Sequence, residues 1–193
     1  MFQVRIHGRG GQGVVTAAEL LSEAAFAEGH HAQAFPSFGS ERTGAPVVAF
    51  CRIADTAIRV REPVMAPDSL IVQDETLLDQ VDLLSGLLPE GYVLINSTRS
   101  FTELGLDDIA EGRPSGRLIT VPATQLALEH LGRPMPNAVL LGAFSALTQA
   151  VTLESVSDAI RGRFPARLAE KNCEAAAAAH TFVQSQLKEP VHA

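Results

Sequence analysis

MFQVRIHGRGGQGVVTAAELLSEAAFAE, residues 1–28, is the stretch on which the fold turns. Phe2, Val4 and Ile6 are apolar, β-favouring side chains two residues apart, the spacing of one face of a strand. They run directly into Gly8-Arg9-Gly10-Gly11-Gln12-Gly13. Val14, Ala17, Ala18, Leu21 and Ala25 then recur with the period of a helix, while Thr16, Glu19 and Glu23 take its solvent side. The segment predicts strand, glycine turn, helix, the opening unit of an α/β fold.

A chain leaving a buried strand must reverse sharply to lay a helix back on the sheet, which needs backbone angles that a β-carbon forbids. Four glycines among six residues meet that need. The turn also leaves amide N–H groups unpaired at a helix start, where the helix dipole adds partial positive charge. It can therefore seat an anion such as a phosphate, with Arg9 adding a full charge. Gly8, Gly10 and Gly13 fit the G-x-G-x-x-G dinucleotide pattern. Such a site wants an acid at the end of the second strand to hold ribose hydroxyls, and the second strand, His30 to Phe35, ends instead in Phe35-Pro36-Ser37. A stand-alone NAD-binding Rossmann oxidoreductase is thus the second reading of the turn. A purely structural turn, its glycines serving packing alone, is the third.

With 193 residues and no linker-like stretch, the chain predicts one domain, residues 1–193. A mean hydropathy of +0.14 points to more apolar surface than a monomer needs, hence to a subunit of something larger. A formal charge of -7 argues against a nucleic-acid partner, which demands a basic stripe. The first residues read as a strand carrying Arg5 and His7 rather than as an apolar leader, and no apolar run nears membrane-spanning length. No membrane partner and a cytoplasmic location are the expectation. Cys51 and Cys173 cannot by themselves frame a disulfide scaffold, a zinc site or an iron–sulfur cluster, and both read as packing residues.

The loop after the second strand, Pro36-Ser37-Phe38-Gly39-Ser40-Glu41-Arg42-Thr43-Gly44-Ala45-Pro46, is the other unusual stretch. Ser37, Ser40, Arg42 and Thr43 suit a phosphate or carboxylate, and a loop there falls beside the glycine turn at the carboxyl edge of the sheet. Glu41 and Arg42 can equally bridge the loop internally or to a partner. Val47 to Ile53 and Ala57 to Val60 predict an inserted β-hairpin, with Arg52, Arg59 and Arg61 outward. Ser69 to Gln73 predicts a strand, followed by a helix started by Asp74-Glu75 and carrying Leu77, Leu78, Val81 and Leu84. Tyr92 to Ile95 and Leu118 to Val121 predict two more strands, with an irregular excursion from Phe101 to Gly116. Beyond Gly132 the chain predicts helices, one capped by Asn137, one by Thr152 and one opened by Pro165. The whole is an α/β, Rossmann-like three-layer domain with a mostly parallel sheet, an inserted β-hairpin and a helical C-terminal part.

No nucleophile beside a base, no metal cluster and no G-x-x-x-x-G-K-[ST] loop is legible, so the chain reads as a domain without its own catalytic apparatus. His7 to Gly13, then Ser37 to Val47, and finally Pro136-Asn137 with Leu141-Gly142-Ala143 resemble the gamma subunit, or gamma domain, of 2-oxoacid:ferredoxin oxidoreductases. The family pattern differs at Ser40, where it favours proline, and at Thr43, where it favours a second basic residue. Gly44-Ala45-Pro46 is similar to the pyruvate type; the first motif is shared with indolepyruvate and 2-oxoglutarate types.

The resemblance implies a subunit that assembles with alpha, beta and usually delta chains. In the complex a 2-oxoacid is decarboxylated on thiamine diphosphate with Mg2+, [4Fe-4S] clusters on the partners pass electrons to ferredoxin, and coenzyme A takes the acyl group. It implies no catalytic or metal residue in this chain and an inactive isolated subunit. The binding edge it implies comprises Gly8, Arg9, Gly10, Gly11, Gln12, Gly13, Ser37, Ser40, Glu41, Arg42, Thr43, Gly44 and Asn137.

Overall fold

The computed structural model describes residues 1–37 and 43–188; Phe38, Gly39, Ser40, Glu41 and Arg42 and residues 189–193 lie outside the description. Six strands, β1 Phe2–Arg9, β2 His31–Pro36, β3 Pro46–Ala54, β4 Ser69–Val72, β5 Tyr92–Asn96 and β6 Leu118–Val121, form one sheet in the spatial order β2-β3-β1-β4-β5-β6. β1, β4, β5 and β6 are mutually parallel. β3 alone runs against its neighbours, between β1 and β2. The helices are α1 Val14–Ala27, α2 Asp107–Ala110, α3 Ala123–Leu131, α4 Asn137–Thr148, α5 Leu153–Arg163 and α6 Ala166–Lys188.

The alternation in β1 sorts the two faces. Val4 and Ile6 face the large apolar core, where α1 lies over β1, β2 and β3 while α4 and α6 lie over β5 and β6. α4 is buried on every side from Asn137 to Leu147, not along a stripe alone, because α1, α5, α6 and the sheet enclose it. Its closest neighbour is α6: a β-carbon on Gly142 would lie 2.0 Å from the Ala176 carbonyl oxygen. Ala175, Ala176 and Ala179 permit that approach, as the alanine run predicts.

Arg5 and His7 face the other way, toward a layer of turns and short helical pieces instead of long helices. Leu70, Val72, Val93 and Ile95 bury a second cluster there under Leu77 and Leu83. The predicted helix after Asp74 is a single 3-10 turn, Glu75–Leu77, capped by the Asp74 side chain on the Thr76 amide. Its apolar residues pack as expected but the helix does not continue. The Arg5 guanidinium takes the Leu83 and Ser85 carbonyls, each at 2.7 Å, and so ties the end of this segment to β1. Gly86, at φ +74, then presses against the Met65 carbonyl.

The predicted hairpin is corrected in the same region. β3 forms, but Ala57 to Val60 is not a strand. Both edges of β3 are already taken, one by β1 and one by β2, so no row of hydrogen bonds is left for a returning segment. Residues 57–62 cross the sheet face, and Arg52, expected to point outward, is 2% exposed beneath them. Its guanidinium donates to the Glu62 carbonyl at 2.5 Å, the Val60 carbonyl at 3.4 Å and Gln3 Oε1, and lies 5.1 Å over the Phe35 ring. Arg59 and Arg61 are exposed.

Candidate functional site

The carboxyl end of β1 enters the turn at Gly8. A β-carbon there would meet Val14 Cγ2 at 2.6 Å, so glycine lets the helix start sit on the strand end. Gly11 and Gly13 have φ of +96 and +72, the left-handed region closed to most side chains. Gly13 is also the residue before α1, and a β-carbon on it would come 2.5 Å from Asn137 Nδ2.

The loop that carries the second motif does return to this turn. Gly10 bridges Thr43, with the Gly10 amide donating to Ala45 O at 2.9 Å and the Gly44 amide to Gly10 O at 3.0 Å. Ser37 is held apart: its amide donates to Val48 O, placing it two strand spacings, roughly 10 Å, from β1. Ser40, Glu41 and Arg42 lie outside the described residues. Asn137, predicted as a helix cap, is instead the first residue of α4, buried, with Nδ2 3.5 Å from Gly13 O. It is a spacer between two helix starts.

Arg9 does not extend freely toward a ligand. Its Nε pairs with Asp74 Oδ2 at 3.3 Å, and its other nitrogens donate to Gly44 O, Thr76 Oγ1 and Gln80 Oε1. Gln12 closes the turn from inside, its Oε1 accepting from the Arg9 amide at 2.7 Å and its Nε2 donating to Asp74 at 2.8 Å. Burial works against the Asp74 charge, but the hydrogen bonds of Thr76 and Gln12, with Arg9 beside it, outweigh that and hold the carboxyl below its ordinary range. Asp74 is thus an ionised hub joining turn, loop and the segment after β4.

Two clefts flank the turn. One, of about 300 Å³, is lined by Gly10, Gly11, Gly13, the first residues of α1 and Met135. Among the described residues no acceptor pairs with the amides of Val14, Val15 and Thr16, while the amides of Arg9, Gly10 and Gln12 are occupied internally. The amides of Gly11 and Gly13 likewise have no acceptor among the described residues, so the open amides run from the later part of the turn into the helix start. The other cleft, of about 520 Å³, lies beyond β4, β5 and β6, where Gln12, Gln73, Asp74, Asn96 and Thr124 gather between prolines. Sequence reasoning passed over Gln73 and Asn96. The available signal was their place at the carboxyl ends of parallel strands, where open α/β sheets bind ligands.

The topology also bears on the dinucleotide reading. A ribose-binding acid belongs at the carboxyl end of the second strand, beside β1; here β2 is separated from β1 by the antiparallel β3, which brings its amino end and Pro46 to Arg9, and Asp74, just past the parallel β4 on the other side, is taken up by Arg9, Gln12 and Thr76. Among the described residues no group of three or more His, Cys, Asp or Glu side chains is placed to hold a metal ion. Cys51 is fully buried in β3, and burial pushes its thiol up to about 12.

The sequence profile of the family described as Pyruvate ferredoxin/flavodoxin oxidoreductase matches residues 3–182. Pyruvate synthase subunit PorC of Methanothermobacter marburgensis is 48% identical over 180 residues, covering 93% of this chain and 96% of that one. The Pyruvate/ketoisovalerate oxidoreductases common subunit gamma of Pyrococcus furiosus is also 48% identical over 180 residues, with the same coverage, 93% and 96%. The crystal structure of pyruvate oxidoreductase subunit PORC from Thermotoga maritima superposes with a TM-score of 0.80 at 35% identity, covering 93% of this chain and 95% of that one. A 2-oxoglutarate:ferredoxin oxidoreductase from Magnetococcus marinus shares the fold, with a TM-score of 0.70 at 17% identity, 96% of this chain matching 31% of that much longer one. The chain belongs to the pyruvate ferredoxin/flavodoxin oxidoreductase family and sits, over nearly its full length, with the members that are separate gamma subunits.

Proposed function

We propose that this gamma subunit lends its alpha, beta and delta partners the edge that receives coenzyme A, the start of α1 holding the coenzyme's phosphates while the partners carry out the oxidative decarboxylation of pyruvate. The observation that carries the reading is the set of amides at Val14, Val15 and Thr16, without acceptors among the described residues and opening on a cleft of about 300 Å³. Backbone amides and a helix dipole stabilise negative charge without a lysine or arginine. Arg9 contributes by holding the Thr43 to Ala45 loop and Asp74 in place, not by direct charge. Arg42, on the sequence motif alone, supplies the side-chain cation.

In such a complex thiamine diphosphate with Mg2+ would supply the electron sink for decarboxylation and [4Fe-4S] clusters the path for electrons to ferredoxin. Neither fits this chain, whose two cysteines are both buried and whose described residues gather no metal-ligand set. One relative serves, by its name, both pyruvate and ketoisovalerate oxidoreductases. That supports a subunit that handles the acyl acceptor common to both reactions and leaves the choice of 2-oxoacid to its partners.

Thr16→Glu tests the reading. A glutamate in the first turn suits the helix dipole, so the fold is retained, while its carboxylate enters the proposed phosphate seat. The expected result in the assembled enzyme is a raised KM for coenzyme A with the KM for pyruvate unchanged, and the same for Arg42→Ala. An unmoved coenzyme A KM in both variants, with assembly intact, refutes it.

A further inference from the structure

We infer that the larger cleft, beyond the ends of β4, β5 and β6, is a pocket for a nucleobase whose edge is read by the Gln73 carboxamide. Gln73 is 1% exposed, and neither its Oε1 nor its Nε2 has a hydrogen-bond partner among the described residues. Polar atoms buried in this way normally find partners, and the neighbouring carboxamide of Asn96 is committed elsewhere. Asn96 Nδ2 donates to the Gln73 carbonyl at 2.8 Å and to Thr124 Oγ1 at 2.7 Å, and Asn96 Oδ1 accepts from the Thr124 amide. Asn96 therefore fixes the Gln73 main chain at the cleft and leaves its side chain unengaged. Because no hydrogen bond has to be broken, the carboxamide can turn about its own torsions to meet a guest.

The chemistry of the cleft selects that guest. Its lining holds no Arg, Lys or His, and its carboxylates, Asp74 paired with Arg9 at 3.3 Å and Glu75 with Arg99 at 3.0 Å through Oε1 while Oε2 stays without a partner, disfavour a phosphate. Pro122, Pro134 and Pro136 supply rigid apolar walls. A neutral, flat ring with a donor beside an acceptor on one edge fits such a place. A primary amide matches the N6 and N7 edge of adenine with two hydrogen bonds. The cleft volume of about 520 Å³ lies in the range of small-molecule sites. Gln12 borders the cleft, so anion seat and base pocket lie on either side of one turn. The assignment rests on the coenzyme A reading only for the source of the base, since an adenine dinucleotide presents the same edge.

Equilibrium binding to the full chain assembled with its partner subunits tests this, comparing wild type with Gln73→Leu and Gln73→Glu. Leucine removes two unpaired buried polar atoms at similar volume, so that variant should melt no lower than wild type. Glutamate keeps the shape and loses the donor. Both should bind coenzyme A and adenosine 3′,5′-bisphosphate about tenfold or more weakly, and should bind 4′-phosphopantetheine, which has no base, as wild type does. Equal coenzyme A affinity in all three proteins overturns the pocket, as does an equal loss of 4′-phosphopantetheine or the failure of every nucleotide probe to bind. If NAD rather than coenzyme A shows the Gln73 dependence, the pocket stands and the coenzyme A reading falls.

Discussion

His7 sits in the central strand, 6% exposed, with Nε2 unpartnered among the described residues. Burial first, and the neighbouring Arg5 charge second, push its imidazole down from 6.5 to about 4. Between those values the unfolded chain holds a proton that the folded chain refuses, so stability falls as pH drops through that window and levels off below it. The whole step is about 3 kcal/mol. Urea denaturation at pH 7 and pH 5 should show the loss, and His7→Leu should flatten that part of the profile; an unchanged profile contradicts the assignment. Gly13 is the second sensitive position. Gly13→Ala combines a left-handed backbone, costing about 1–2 kcal/mol, with a β-carbon 2.5 Å from Asn137 Nδ2. It should lower the melting temperature and move the start of α1, whereas Gly11→Ala, with nothing within 4 Å, should show the backbone strain alone.

Between elements, two contacts carry a large share of the specificity. Gly142→Ala would drive a methyl to 2.0 Å from the Ala176 carbonyl oxygen, and separating α4 from α6 should cost about 3 kcal/mol. Chemical denaturation measures it directly. Arg52→Met removes the donors that hold residues 57–62 across β3, at about 2 kcal/mol, and trypsin should then cut faster at Arg59 and Arg61, which are already exposed. Equal cutting of both proteins would show that the clamp is idle. These contacts also explain what the sequence could and could not announce. β1, its turn and α1 are legible because strand period, glycines and helix period lie within 28 residues and answer to local rules. Ala57 to Val60 has strand-like side chains, yet strand formation needs a free edge, and whether β3 has one depends on Phe2 and His31, distant in the chain. Leu77 to Leu84 has apolar residues suited to a helix, yet they pack under the sheet as turns whose end is tied to Arg5 of β1, a residue distant in the chain. The site divides in the same way: the glycine turn is visible as a motif, while Gln73 and Asn96 are ordinary amides until the register sets them side by side at the sheet edge.

Across the molecule the two faces of the sheet are built differently, one under long packed helices and the other under turns tied down by Arg5, Arg52 and Arg113. The latter holds the Leu88 and Pro89 carbonyls at 2.7 and 2.8 Å. A layer made of few regular hydrogen bonds should open below the global unfolding energy. Native-state hydrogen exchange should find residues 75–88 exchanging well before β1 and α4, and uniform protection would refute the difference. The lone reversed strand has a further consequence, felt while the chain is being made. β1 and β2 never touch as neighbours; β2 joins the sheet only through β3, and β1 pairs with β3 and β4, both of which follow it in the chain. A nascent chain emerging from the ribosome with its first 45 residues therefore has two strands and an apolar helix but no ladder to close. Its earliest structure must wait for Pro46 to Ala54, so a translational pause once residue 54 has left the ribosome should favour productive folding and one while only the residues before 46 have emerged should leave α1 open to chaperones.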